Sequence, residues 1–172
     1  YRTYIEERVM EIEEKRKNAT ETFDLSDDKK TVLVVGGSLG ALTINESICK
    51  NLDYFDKNNI QLIWQTGKWY YPKAKECVGK LQSSNIKVHE FIYEMDQAYS
   101  LADVIISRAG AIAISELCIV GKPSILVPSP NVSEDHQTKN ANALVAKNAA
   151  LMVKDIEARE SLITVLDQII ND

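Results

Sequence analysis

Two short segments made only of apolar residues constrain the fold of this chain most. Residues 32–35 and 104–106 carry no polar side chain at any position. A strand that is apolar on both faces must be covered on both faces, which is typical of a parallel β-sheet between two layers of helices. Segments of helical character separate these strands from four others, so the pattern predicts an α/β fold with a Rossmann-like, doubly wound parallel sheet.

The turn signals divide the chain into a regular alternation. Strands are expected at residues 31–35, 60–65, 86–91, 104–107, 124–127 and 151–153, and helices near residues 4–23, 41–52, 71–82, 95–101, 111–120, 135–147 and 157–170. The first helix is rich in Glu, Lys and Arg and is predicted to lie on the surface. We therefore expect a polar helix and linker at residues 1–30 and an α/β domain at residues 31–172.

Composition excludes several classes of function. The formal net charge of −5 argues against direct binding to nucleic acid or to an anionic membrane surface. The three cysteines are widely spaced and form no CxxC or Cys/His pair, which favours reduced thiols and gives no metal site. No apolar run approaches the roughly twenty residues of a spanning helix. The chain begins at Tyr1 without a methionine or a signal segment, so we expect that its start is not a natural terminus.

The loop after the first strand predicts a phosphate site. Its sequence, Gly-Gly-Ser-Leu-Gly-Ala at residues 36–41, lets the backbone approach a ligand ahead of a helix N-terminus. It is not the dinucleotide fingerprint, and the second strand ends in Gln65-Thr66-Gly67 without a carboxylate for an NAD ribose, so a nicotinamide cofactor is disfavoured. A tight turn that holds no ligand is the alternative.

The loop after the fourth strand has the same character. Residues 107–116 run from a strand end through small residues into a helix, which predicts a second anion site beside the first and so a diphosphate. Glu116 lies about a turn and a half into that helix, where its carboxylate could accept hydrogen bonds from two vicinal ribose hydroxyls. A solvated helical glutamate is the alternative.

Two further segments complete the set. Residues 128–137 form a proline-stiffened loop that enters a helix, with polar side chains suited to sugar hydroxyls. Ser133, Glu134 and Asp135 could equally be N-capping residues. In residues 88–95, Phe91 and Ile92 could pack against a flat base, with core packing as the alternative. His89 is interpreted as a partly exposed strand residue rather than a general base.

Together and in this order, these segments resemble the carboxyl-terminal domain of the MurG family, which adds GlcNAc to undecaprenyl-pyrophosphoryl-MurNAc-pentapeptide. The matching motifs are residues 36–41 with Asn45, residues 90–92 with Met95, residues 107–111 with Ser115-Glu116, and residues 135–137 with Asn140-Ala141. The resemblance runs from residue 31 to the end. Tyr1-Arg2 also resembles the end of the family's junction between domains, which would make residues 1–30 the segment that follows the junction.

The resemblance implies a fold of the GT-B type, in which two Rossmann-like domains flank a cleft and this domain holds the donor nucleotide. The implied donor-binding residues are Arg2, Gly37, Ser38, Phe91, Ile92, Arg108, Ile112, Ala113, Glu116, His136 and Gln137. In this assignment the Ile92 backbone reads the uracil beside Phe91, and Glu116 holds the ribose. Ser38 and the amides around residues 112–113 hold the diphosphate, while His136 and Gln137 meet the sugar hydroxyls. Arg108 and Arg2 add positive charge near the leaving UDP or brace the loops.

The resemblance also implies the reaction and the partners. A metal-independent, inverting transfer would move GlcNAc from UDP-GlcNAc to the C4 hydroxyl of MurNAc in lipid I, giving lipid II, with no cofactor. The acceptor groove and the base would belong mostly to an amino-terminal domain, so no catalytic residue is assigned here and the chain alone should bind donor without transferring it. The full-length enzyme would be peripheral, at the cytoplasmic face of the bacterial inner membrane, and this chain alone would be soluble and cytoplasmic.

Two positions depart from the family pattern. Leu42 stands where an arginine is common, and Ala113 stands where a threonine often supplies a hydroxyl to phosphate. Backbone donors remain at both, so we expect reduced contacts rather than a lost site. Two alternatives stay open: a non-catalytic domain that binds nucleotide or protein with the same fold, and another GT-B enzyme such as a UDP-GlcNAc 2-epimerase-like protein.

Overall fold

A single six-stranded sheet with helices on both faces organises the molecule. The computed structural model describes residues 2–37, 41–131 and 135–172, without the side chains of residues 2–5, 8 and 9. The strands are β1 Thr31–Val35, β2 Gln61–Gln65, β3 Ile86–His89, β4 Val104–Ser107, β5 Ser124–Leu126 and β6 Leu151–Met152. The helices are α1 Arg2–Phe23, α2 Leu42–Lys50, α3 Leu52–Lys57, α4 Tyr71–Leu81, α5 Met95–Leu101, α6 Ala111–Val120, α7 His136–Val145 and α8 Ala158–Ile170, and a 3₁₀ turn at Asp155–Glu157 precedes α8.

The strand order confirms the predicted Rossmann-like, doubly wound sheet. All pairs are parallel, and the order across the sheet is β3-β2-β1-β4-β5-β6. The chain first winds outward from β1 to β3 and then returns to place β4 against the other side of β1. Val35 pairs with Ser107, so β1 and β4 end side by side. The loops after these two strands therefore meet at the switch point, where ligands bind in open sheets of this kind.

The core lies in two layers, one on each face of the sheet. In β1, Val32 and Val34 pack towards the layer of α2, α3, α4 and α8, whereas Leu33 packs towards the layer of α1, α5, α6 and α7. All three side chains are fully buried. The uniformly apolar strands are thus covered on both sides, which is the physical reason for their composition.

The first helix is joined to the domain through its carboxyl-terminal half. Ala19 and Phe23 are buried in the core layer that includes α5. Arg16 donates to the carboxylate of Asp27 at 2.7 Å and to the carbonyl of Ser100 at 3.1 Å. No helix in the described part of the chain is both long enough and apolar enough to cross a bilayer.

Two of the predicted boundaries that differ in the structure have a visible local reason. The helix expected at residues 41–52 ends at Lys50, and a separate helix, α3, follows it, because the side-chain amide of Asn51 donates to the carbonyl of Ser47 and ends the first helix. The strand expected at residues 86–91 ends at His89. Beyond it, the amide N–H of Ile92 donates to a side chain rather than to a strand backbone.

The prediction of three reduced thiols is wrong for two of them in this structure. Cys49 on α2 and Cys77 on α4 form a disulfide, with their Cα atoms 6.2 Å apart. Cys118 is a free, exposed thiol on α6. The two paired residues are 28 positions apart. Their spacing carries no signal of the packing between α2 and α4 that brings them together.

Candidate functional site

A cleft of about 770 Å³ opens at the carboxyl edge of the sheet, above the junction of β1 and β4. Its walls come from the loops after β1, β3, β4 and β5 and from the starts of α2 and α6. The lining residues include Gly37, Leu42, Thr43, Gln65, Phe91, Tyr99, Arg108, Ile112, Ala113, Glu116, Ser129, Gln137 and Asp155. The structure thus brings seven of the residues predicted from sequence into one cavity: Gly37, Phe91, Arg108, Ile112, Ala113, Glu116 and Gln137.

Two helices begin at this cleft. Ala41 precedes α2 and Gly110 precedes α6, both with extended backbone and without a side-chain cap among the described residues. The first-turn N–H groups of both helices are therefore available to an anion, and the helix dipoles add partial positive charge. Gly37 has a φ of +86°, which favours glycine in the first loop. The expected phosphate contact at Ser38 lies outside the described residues, as does Gly40.

The two positions that depart from the family pattern both line the cleft. Leu42, in the first turn of α2, is 59% exposed, and Ala113 lies in the first turn of α6. Neither side chain can donate a hydrogen bond to an anion. At these two positions an anion would therefore meet backbone N–H groups only.

Arg108 is engaged in contacts that brace the floor of the cleft. Its Nη1 donates to the carbonyls of Val127 and Pro128 at 3.2 and 3.3 Å and to Oδ1 of Asp155 at 2.5 Å. The side chains of Arg108 and Asp155 are only 17% and 15% exposed. Oδ2 of the same aspartate accepts a hydrogen bond from Thr43 at 3.0 Å. Asp155 thus compensates the guanidinium charge and links the loop after β4 to α2.

Glu116 lies on the wall of the cleft and is held by a tyrosine. The hydroxyl of Tyr99, on α5, donates to Oε2 of Glu116 at 2.7 Å. Burial is the main cause, and the hydrogen bond to Glu116 the second, that raises the pKa of the Tyr99 phenol well above its ordinary value. The group therefore remains a donor at neutral pH. Tyr99 occupies one acceptor site of Oε2, which leaves the other acceptor sites of the carboxylate for a ligand.

The segment after β3 is anchored through Gln65 at the end of β2. The side-chain Oε1 of Gln65 accepts the amide N–H of Ile92 at 2.9 Å, and both side chains are buried. The Ile92 backbone is therefore left with its carbonyl oxygen, an acceptor, for a hydrogen bond to a nucleotide base. Phe91 is 43% exposed beside it and packs edge-on against Tyr93, with ring centroids 5.0 Å apart.

The loop before α7 is tied to the loop after β4 by Gln137. Its side-chain Oε1 accepts the amide N–H groups of Ala109 at 3.2 Å and Ser129 at 2.8 Å. Asn140, one turn later, donates to the carbonyl of Ala109 at 3.0 Å. These contacts hold the start of α7 against the cleft.

The remaining predicted site residues are placed as follows. His136 begins α7 and is exposed. Arg2 begins α1, and its side chain lies outside the described part of the structure. Asp135 occupies the N-cap position of α7 with a left-handed φ of +53° and makes no side-chain cap, so the capping prediction is wrong for this residue. The capping prediction for Ser133 and Glu134 falls outside the described residues.

Sequence reasoning missed four residues that shape the cleft: Thr43, Gln65, Tyr99 and Asp155. Each acts through a partner far away in the sequence, and none belongs to a local motif that marks it. In the sequence, the end of β2 at Gln65 is distinctive only for its lack of a carboxylate. Over the residues that the structure describes, no group of three or more His, Cys, Asp or Glu side chains could hold a metal ion.

Comparison with known proteins now identifies the domain. Residues 31–172 match the model of the glycosyltransferase family 28 C-terminal domain. A Parabacteroides distasonis protein named "UDP-N-acetylglucosamine--N-acetylmuramyl-(pentapeptide) pyrophosphoryl-undecaprenol N-acetylglucosamine transferase" is 53% identical over 158 residues, which is 92% of this chain and 43% of the relative. A Bacteroides thetaiotaomicron protein of the same name is 56% identical over 151 residues, 86% of this chain and 40% of the relative. The chain thus spans about two fifths of the length of these relatives.

Solved structures agree with the sequence relatives. The crystal structure of Acinetobacter baumannii MurG shares 31% identity and a TM-score of 0.71, and the match covers 88% of this chain and 46% of that one. A UDP-GlcNAc 2-epimerase from Neisseria meningitidis, bound to UDP-GlcNAc, has a TM-score of 0.57 at 16% identity over 90% of this chain and 41% of that one, which shows the shared fold alone. On the family model and the fold together, this chain belongs to the glycosyltransferase family 28 C-terminal domain family.

Proposed function

We propose that this chain is the donor-binding domain of a glycosyltransferase that moves GlcNAc from UDP-GlcNAc to the C4 hydroxyl of MurNAc in lipid I, giving lipid II with inversion at the anomeric carbon. The observation that carries the proposal is the pairing of two helix starts, α2 and α6, at the switch point of a family 28 domain, with a carboxylate on the same cleft wall. This arrangement suits a diphosphate attached to a ribose. The name of the relatives supports the choice of donor and acceptor.

The charge pattern of the cleft fits an anionic nucleotide. The diphosphate accepts hydrogen bonds from backbone N–H groups around Gly37 and around residues 112–113, where the helix dipoles favour negative charge. Because Arg108 is neutralised by Asp155, it acts by bracing the loops, and the backbone carries most of the attraction. Catalysis of UDP departure would then use preorganised N–H donors rather than a bound metal.

The other groups of the donor fall on the remaining walls. Glu116 accepts from the ribose hydroxyls with the oxygen that Tyr99 does not occupy. The carbonyl of Ile92 accepts the N3–H of uracil, and Phe91 packs against the base. Cytosine lacks a hydrogen at N3, so it presents an acceptor to the same carbonyl and is rejected. His136 and Gln137 lie at the start of α7, where the sugar would extend.

The chain alone binds donor and transfers no sugar under this proposal. Since it spans about two fifths of its relatives, the acceptor groove and the general base lie in the remainder of the full-length protein. Transfer in a two-domain enzyme depends on bringing donor and acceptor together in a closed cleft. The full-length protein acts at the cytoplasmic face of the membrane, where it meets its lipid-linked acceptor.

Calorimetric titration with UDP-GlcNAc tests the donor site. We expect binding of UDP-GlcNAc and UDP, with no binding of NAD or ADP-glucose and weaker binding of CDP. Glu116→Ala should weaken UDP binding roughly ten- to a hundredfold, because it removes hydrogen bonds to a charged acceptor. Glu76→Ala, which changes an exposed helical glutamate on α4, is the matched control and should bind as the wild type does.

A chimera tests the reaction. This chain, joined to the amino-terminal part of the 53% identical relative, should transfer GlcNAc to a lipid I analogue, whereas either part alone should not. A folded wild-type chain that binds no uridine nucleotide, followed by an inactive chimera, would refute the proposal. Formation of UDP and an epimerised sugar without acceptor would instead indicate epimerase chemistry.

A further inference from the structure

The contact between Tyr99 and Glu116 joins two parts of the cleft that no local motif connects. Tyr99 lies on α5, after β3, and Glu116 lies on α6, after β4, 17 residues later. The tyrosine ring packs against the buried core layer that contains α5 and α6, so its position is set by the fold. Glu116, in contrast, is exposed on the cleft wall.

An exposed glutamate has three rotatable side-chain bonds and samples many orientations in water. The hydroxyl of Tyr99 removes much of this freedom by fixing Oε2 at 2.7 Å. The Glu116 carboxylate, which lines the cleft, is then held at a defined place on the cleft wall. Entropy that would otherwise be lost when a ligand binds is lost instead when the protein folds, which is how preorganisation raises affinity.

We propose that Tyr99 is a positioning residue that holds Glu116 in the orientation required to accept hydrogen bonds from the two vicinal hydroxyls of the nucleotide ribose. The inference rests on the proposed function, since it assigns a supporting group to that same site. Tyr99 donates one hydrogen bond and keeps its proton, because burial and the neighbouring carboxylate raise the pKa of its phenol.

The opposite role makes the opposite prediction. If Tyr99 kept Glu116 away from the ligand, the hydrogen bond would have to break before a ribose could bind. Removal of the hydroxyl would then raise affinity for UDP. A purely structural role would weaken binding of every nucleotide equally, with or without ribose hydroxyls.

The test is a titration of Tyr99→Phe with UDP and with 2′,3′-dideoxy-UDP, which has the same base and diphosphate but no hydroxyl for Glu116. We expect the affinity for UDP to fall about three- to tenfold, the range of one hydrogen bond. The affinity for the dideoxy nucleotide should be unchanged from wild type. In a Glu116→Ala background, Tyr99→Phe should cause no further loss for UDP.

Tyr54→Phe is the matched control. The hydroxyl of Tyr54 donates to Oδ1 of Asp167, also at 2.7 Å, in the helix layer on the other face of the sheet. This variant loses the same atom and the same kind of contact away from the cleft, so its affinity for UDP should equal that of wild type. Thermal unfolding of both variants shows whether each remains folded.

The outcomes separate this inference from the proposed function. If wild type binds UDP and Tyr99→Phe binds it with equal or higher affinity, the positioning role is overturned, whereas the proposed donor site is not. An equal loss for UDP and for the dideoxy nucleotide would also overturn it. Failure of the folded wild type to bind any uridine nucleotide would overturn the proposed function, and the positioning role with it.

Discussion

Replacement of Asn45 by alanine should destabilise the domain strongly, although the residue contributes no apolar surface. Asn45 lies on α2 and is almost fully buried. Its Nδ2 donates to the carbonyl of Thr66 at 2.9 Å, and its Oδ1 accepts from the indole Nε1 of Trp64 at 2.9 Å. One side chain thus joins the helix after the glycine loop to the end of β2.

The size of the effect follows from the groups left behind. Alanine leaves the Trp64 indole N–H and the Thr66 carbonyl buried without this partner, and Trp64 and Thr66 are both fully inaccessible to water. Each unsatisfied buried group costs about 1–3 kcal/mol. The free energy of unfolding should therefore fall by about 2–6 kcal/mol, a large part of the stability of a typical domain.

Urea unfolding followed by far-ultraviolet circular dichroism measures this loss, and a double-mutant cycle identifies its source. In a Trp64→Phe background the indole donor is absent, so Asn45→Ala should cost about 1–3 kcal/mol less than it does in wild type. Asn171→Ala, at the exposed end of α8, serves as control and should change stability by less than about 0.5 kcal/mol. A loss under about 1 kcal/mol for Asn45→Ala, or an equal loss in both backgrounds, would refute the reasoning.

Two further predictions concern charge. Asp155→Ala leaves the mostly buried Arg108 without its counter-ion, so the free energy of unfolding measured by urea titration should fall by about 3 kcal/mol. Adding Arg108→Met to Asp155→Ala should restore part of this loss. No recovery in this double variant would contradict the explanation. Burial lowers the pKa of His89 below its ordinary value of 6.5, so the unfolded chain takes up this proton first as the pH falls. The contribution of neutral His89 to the free energy of unfolding is fully present above pH 6.5 and is lost as the pH falls from there towards the folded-state pKa. Unfolding free energies measured from about pH 7.5 to about pH 5.5 should therefore decline more steeply for wild type than for His89→Gln. Parallel curves for the two proteins would contradict this explanation.

The local sequence was sufficient to predict the architecture. Apolar runs in β1 and β4 require cover on both faces, and small residues after each strand mark the loops that open the cleft. Because parallel strands all end at one edge, the residues that follow them converge there. This explains why Gly37, Glu116 and Gln137 line one cavity although 100 positions separate the first from the last.

Other features depended on packing between elements. The Cys49–Cys77 disulfide depends on α2 and α4 lying side by side. A period of two or 3.6 residues shows which face of an element is apolar, but it does not specify which neighbour that face will meet.

The sequence by itself determined the class of fold, the edge of the sheet where the cleft opens and the loops that supply most of its lining, because backbone periodicity and glycine-rich turns are local properties. Only the tertiary structure decided how those residues are held. The partners of Glu116, Arg108 and Ile92 are Tyr99, Asp155 and Gln65, which lie 17, 47 and 27 positions away. Hydrogen bonds of this kind require atoms on separate elements to be placed to within a few tenths of an ångström. That placement is reached only when the helices have packed on both faces of the sheet.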